Sequence, residues 1–130
     1  MSTDHNIEQL QSYVGLLVDS GHCTAAAILD LQGNVLASSE GFTAPEAKAI
    51  AANLDDATAL RLNGCTLNNI RYSCIHAEPG IFVGRQSVNG LCIAKSGSYI
   101  VIGGHGEGLN GANCRHTVEQ MKDYLVGINQ

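Results

Sequence analysis

Two Cys-x-His pairs stand out among the side chains of this 130-residue chain that could do chemistry: Cys74 with His76, and Cys114 with His116. Both residue types ligate zinc. On a strand, positions i and i+2 share a face and would aim Cys74 and His76 together, whereas on a helix Cys114 and His116 diverge by about 200°. Buried thiols and surface imidazoles are the plainer account of both pairs, and no metal is expected. A cysteine nucleophile needs a histidine base and a third group to orient that base. No local signature singles one out among the five cysteines and five histidines, and G-x-S-x-G and H-E-x-x-H are absent. No catalytic residue is therefore assigned, and the chain is not expected to be an enzyme. Gly106-Glu107-Gly108-Leu109-Asn110-Gly111 matches G-x-G-x-x-G after a strand and before a helix. A dinucleotide site would also need a second parallel strand beyond that helix, with an acidic residue about 20 positions on. The sequence ends at Gln130, so the stretch reads as a plain glycine loop and no cofactor is expected.

The elements that would hold these residues follow from periodicity. Leu62 to Gly104 is a run of short strands broken at Asn68-Asn69, Glu78-Pro79-Gly80, Ser87 to Gly90 and Ser96-Gly97, all turn compositions. Turns this short force antiparallel pairing, because a parallel crossover takes a dozen or more residues. Ahead of this meander, Ile7, Leu10, Tyr13, Val14, Leu17 and Val18 recur at three and four and predict a first helix, with Asn6 and Gln9 as a capping box and Gly21 as its stop. Thr24 to Asp30 is small and apolar throughout, as a strand buried on both faces requires, and Gln32-Gly33-Asn34 turns it into Val35 to Ser38. Thr43-Ala44-Pro45-Glu46 opens a second helix, with an N-cap, a first-turn proline and a capping-box glutamate. Asp55-Asp56 starts a short helical turn to about Arg61. After Tyr99 to Gly103 a glycine-rich loop runs to Asn113, and Cys114, Val118, Met121, Leu125 and Ile128 mark a closing amphipathic helix beside the first. Within the meander, Arg71, Ser73 and Ile75 alternate with Tyr72, Cys74 and His76, and neither face is uniformly apolar.

The expected fold class is α+β, an antiparallel sheet with the N- and C-terminal helices on one face and the shorter helices on the other. Residues 1–130 read as one domain with a loose polar tail at 1–5. With 45% hydrophobic and 15% charged residues the chain is of globular composition. A formal charge of −5 argues against nucleic acid as a partner, since phosphate binding leaves a basic footprint. The longest apolar run is far short of the ~20 residues of a membrane span, and the N-terminus lacks the features of a secretory signal. An odd cysteine count without C-x-x-C fits reduced thiols.

Leu10 to Val14, Ala25 to Ile28 with Gly33 to Ala37, Leu62 to Leu67 with Arg71 to Ile75 and Glu78-Pro79-Gly80, and Met121 to Leu125, in this order, resemble stretches of the profilins. Leu10-Gln11-Ser12-Tyr13-Val14 is similar to their N-terminal W-Q-x-Y-V helix motif, and Ala25 to Ile28 with Gly33-Asn34-Val35-Leu36-Ala37 to their first hairpin. Leu62 to Leu67, Arg71 to Ile75 and Glu78-Pro79-Gly80 resemble the central strands, and Met121 to Leu125 the end of the last helix. The resemblance implies a cytoplasmic, cytoskeletal, monomeric protein that binds monomeric actin on one face and proline-rich segments in an aromatic groove between the terminal helices. Its implied actin-facing positions are Leu62, Arg71, Cys74, His76, Arg85, Asn110, His116 and Gln120. Asn110, His116 and Gln120 replace a histidine, a lysine and a glutamate of many relatives, so a weaker or retuned interaction is expected. The implied groove positions are Leu10, Tyr13, Leu36 and Tyr124. With no tryptophan in the chain, two ring platforms are leucines and proline-rich binding is expected to be weakened. Met1 to Asn6 stand before the family's usual start and are expected to lie across that groove. The acidic balance argues against tight phosphoinositide binding. A dimerisation scaffold of the roadblock or longin kind shares much of this element order and is the alternative.

Overall fold

The computed structural model describes residues 7–40, 42 and 45–128. The polar tail, the Asn6 cap and the Thr43-Ala44 start of the second helix lie outside these residues. In chain order the elements are α1 (Ile7–Asp19), β1 (Ala25–Asp30), β2 (Val35–Ser38), α2 (Ala47–Asn53), α3 (Ala57–Asn63), β3 (Cys65–Leu67), β4 (Ile70–Glu78), β5 (Ile81–Gln86), β6 (Asn89–Lys95), β7 (Tyr99–His105) and α4 (Gly111–Gly127). The seven strands form one antiparallel sheet in the order β2-β1-β7-β6-β5-β4-β3.

Two cores sandwich the sheet. Ala26 and Ile28 of β1, Cys92 and Ala94 of β6, and Tyr99 and Val101 of β7 pack against Leu10, Tyr13, Val14 and Leu17 of α1 and Cys114, Val118, Met121 and Leu125 of α4. On the other face Ala27, Leu29, Leu91, Ile93, Ile100 and Ile102 pack with Ile50 and Leu54 near α2 and Leu60 of α3. The central strands are therefore apolar on both sides, which is why β1 reads as a continuous small apolar run. Gly103 lets α4 lie close: a Cβ there would stand 2.5 Å from Val118 Cγ2.

The two terminal helices cannot cover the whole sheet. At about 10 Å each they span about four strands spaced about 4.8 Å apart. α1 lies on β1 and β2, and α4 on β6 and β7. On that face β4, β3 and most of β5 lie beyond the two helices, with Val83 of β5 still packed against the edge of their core.

Several sequence expectations are refined. Ile7 is exposed at the start of α1, and Ile128 caps α4 instead of extending its buried stripe. α3 continues to Asn63, and Asp56 caps it by accepting from the Ala59 amide at 3.0 Å. β7 continues to His105, and Gly111 to Asn113 belong to α4 because Asn110 accepts from the amides of Ala112 and Asn113. Glu46 makes no capping bond to α2. Its carboxylate instead accepts from the amides of Asn68 (2.9 Å) and Asn69 (3.1 Å), gripping the β3–β4 turn, where both asparagines have positive φ.

Candidate functional site

The bare part of the sheet carries most of the residues singled out on the central strands, and a β-bulge decides which of them share a face. β4 pairs with β5 as Ser73↔Arg85 and Cys74↔Gly84, then shifts so that His76 faces Val83 and Ala77 faces Phe82. Ile75 is the extra residue, and side-chain alternation resets across it. Tyr72, Cys74 and Ala77 consequently point to the α2–α3 core, while Arg71, Ser73 and His76 point to the uncovered side with Arg85. Cys74 and His76 are thus on opposite faces, contrary to the simple i, i+2 expectation. Cys74 packs partly buried on the second core and does not join Arg71.

Local hydrogen bonds position the arginines. Arg71 Nε donates to the Asn63 carbonyl at the end of α3 (2.8 Å), which ties β4 to the segment carrying Leu62, itself 73% exposed. Arg85 Nε donates to the Ser87 carbonyl in the β5–β6 turn (3.1 Å). Between them the two arginines border a polar cleft of about 570 Å³ with Asn69, Ser73 and Gln86. His76 Nε2 lies 2.7 Å from Glu78 Oε2, an exposed pair.

Beside this patch the start of α4 and the strands enclose a half-open cavity of about 420 Å³. Ile75, Val83, Val88 and Leu109 supply apolar walls, and Arg85, His105 and Arg115 polar ones. Arg115 is held by Glu119 one turn on (2.8 Å), and that carboxylate raises its already high pKa. Periodicity did not single out His105, Leu109 or Arg115, since they converge only through the β7–α4 loop. Asn110 spends its side chain on the helix cap, and His116 projects from the outer face of α4. Gln120 lines a separate shallow depression between α1 and α4 with Leu16, Thr117 and Tyr124. The structure therefore brings Leu62, Arg71, His76 and Arg85 to one end, with Arg115 bridging towards α4. Gln120 lies away from that cluster.

The proposed groove positions do meet, but offer little ring surface. Tyr13 and Tyr124 stack edge to face with centroids 5.5 Å apart and hydroxyls 3.4 Å apart. Burial, reinforced by the Tyr124 hydroxyl, pushes the Tyr13 phenol from 10.0 to about 12. Tyr13 is only 7% exposed and Leu10 1%, while Leu36 packs partly buried against the same core. Tyr124, at 49%, carries the accessible aromatic area of the four. Among the described residues there is no group of three or more His, Cys, Asp or Glu able to hold a metal ion, and no helix long and apolar enough to cross a membrane.

The profilin family model matches residues 8–130. Profilin-2 of Acanthamoeba castellanii is 37% identical over 120 residues, covering 90% of this chain and 95% of that protein. The crystal structure of Acanthamoeba castellanii profilin II superposes with a TM-score of 0.88 at 35% identity, over 93% of this chain and 99% of that one. A Schizosaccharomyces pombe profilin structure reaches 0.89 at 26% identity, again over 93% of this chain and 99% of that one. These matches give no support to a roadblock- or longin-like scaffold. A sheet of this order, with terminal helices on one face and matches along nearly its full length, places the chain in the profilin family.

Proposed function

We propose that this profilin binds monomeric actin through the bare end of its sheet and so regulates filament assembly, acting by association and not by catalysis. The observation that supports the reading is the convergence of Arg71, His76 and Arg85 on a helix-free sheet face. That face is flanked by the exposed Leu62 and joined to the start of α4, in a chain of this family. His116, with Asn110 at the helix cap, extends the proposed surface onto α4, Gln120 stands apart from it between α1 and α4, and Cys74 supports it from behind. Fixed charge is sparse there, so association is slower and weaker than at a lysine-rich surface. Proline-rich peptides would bind weakly, because Leu10 and Tyr13 are buried and Tyr124 alone offers a ring. Tight phosphoinositide binding is not expected. The protein acts as one domain in the cytoplasm, at the cytoskeleton.

Spontaneous nucleation of purified actin tests this. The wild-type chain should suppress nucleation, and Arg71→Glu should weaken binding roughly tenfold or more, or ~1.4 kcal/mol. A wild type with no effect on nucleation and no measurable binding removes the proposal.

A further inference from the structure

Cys23 and Cys114, 91 residues apart in sequence, place their sulfurs 3.5 Å apart in the core between α4 and the sheet. Both thiols lie over Gly103, where a Cβ would stand 3.0 Å from Cys23 Sγ and 3.6 Å from Cys114 Sγ, so this glycine clears the space they occupy. Cys65 belongs to the opposite core and Cys74 packs against it, which leaves Cys92 as the other cysteine on this side of the sheet. We propose that Cys23 and Cys114 are a redox-responsive dithiol that closes to an intramolecular disulfide, clamping the first turn of α4 to the segment that leads into β1. The inference stands apart from the actin reading.

A disulfide needs sulfurs about 2.05 Å apart, so closure asks for a movement of about 1.5 Å. Cys23 can supply it, because it follows Gly21, which has positive φ, in the irregular link between α1 and β1, where Gly21 and Thr24 are exposed. Local opening of this link would also admit oxidant to a buried thiol. The hydrogen bond from Cys114 lowers the pKa of Cys23 against the opposing effect of burial. The same bond, with burial added, raises Cys114. Because Cys23 sits on the irregular link whose opening admits the oxidant, it is the sulfur that reacts first. With a hydroperoxide as the two-electron oxidant, the Cys23 thiolate attacks the distal peroxide oxygen. An S–O bond forms, the O–O bond breaks, and the departing oxide takes a proton to leave as water or an alcohol. Cys114 sulfur then attacks the sulfenic sulfur, the S–S bond forms, and the sulfenic oxygen leaves as water with the Cys114 proton. Two thiols and one hydroperoxide thus give one disulfide and two molecules of leaving-group product.

The test treats the native full chain with hydrogen peroxide, alkylates under denaturing conditions and maps the peptides. Two of five thiols should be lost as a Cys23–Cys114 link in a monomer, dithiothreitol should restore them, and amide exchange at the start of α4 should slow on oxidation. Cys74→Ser should leave the link unchanged and Cys114→Ala should abolish it; if Cys114→Ala does not fold, the wild-type map still decides. Retention of all five thiols, a link through Cys92, or a product consisting of intermolecular dimers overturns the proposal.

Discussion

Arg71 matters at the level of the single residue because its guanidinium is both anchored and exposed. Its bond to the Asn63 carbonyl is an exposed contact, so a denaturation midpoint measured beside binding separates the effect of Arg71→Glu on the partner from any effect on folding. A second property of individual residues is alkaline sensitivity. Burial, with Glu46 adding, pushes Cys65 from 9.0 to about 12, and burial, with Glu119 adding, does the same to Cys92. Tyr13 moves from 10.0 to about 12. The unfolded chain releases these protons near the ordinary values while the folded chain holds them until about pH 12. The stability they contribute is therefore complete below pH 9 and is lost as pH rises from 9 towards 12. The urea midpoint should fall steadily across that window; a flat profile would show that burial does not govern these groups.

Among the elements, α4 depends on a single side chain for its start. Asn110 accepts from Ala112 N at 2.7 Å and Asn113 N at 3.3 Å, and Asn110→Ala should cost about 1 kcal/mol in chemical denaturation. The terminal-helix pair makes a sharper prediction. Leu10 sits at the point where the family motif places tryptophan, but it is 1% exposed inside a packed core. Leu10→Trp should therefore overpack that core, lowering stability by roughly 1–3 kcal/mol without creating a peptide platform. Fluorescence titration of this variant with a proline-rich peptide should show no tighter binding than wild type, and tight saturable binding would refute this. A helix opening close to residues 43–46 was legible, but α2 begins only at Ala47, with Pro45 and Glu46 in the turn before it and no capping bond from Glu46. That Glu46 would spend its carboxylate on the distant β3–β4 turn was not legible, because the two segments meet only after folding.

For the molecule as a whole, the sheet ends favour a lone chain. The edge strands are short, four residues in β2 and three in β3, and such edges template little pairing with a second copy. Light scattering should return the mass of one chain, and a concentration-dependent dimer would contradict this. The uncovered end of the sheet follows from a width mismatch: seven strands are broader than two helices. That mismatch leaves Arg71 and Arg85 on a solvent-facing sheet surface.

The sequence by itself determined the order of elements, the doubly buried β1 and the amphipathic helices, because these depend on local periodicity and turn residues. Its Cys-x-His pairs, the first candidates for chemistry, resolved differently. Only pairing with β5 reveals the bulge at Ile75 that sends Cys74 and His76 to opposite faces. Only close packing of α4 over Gly103 brings Cys114 to Cys23, and only the depth of α1 in its core buries Leu10 and Tyr13. The tertiary structure decided these points because register shifts and long-range side-chain contacts arise between segments far apart in the chain, where local periodicity carries no information.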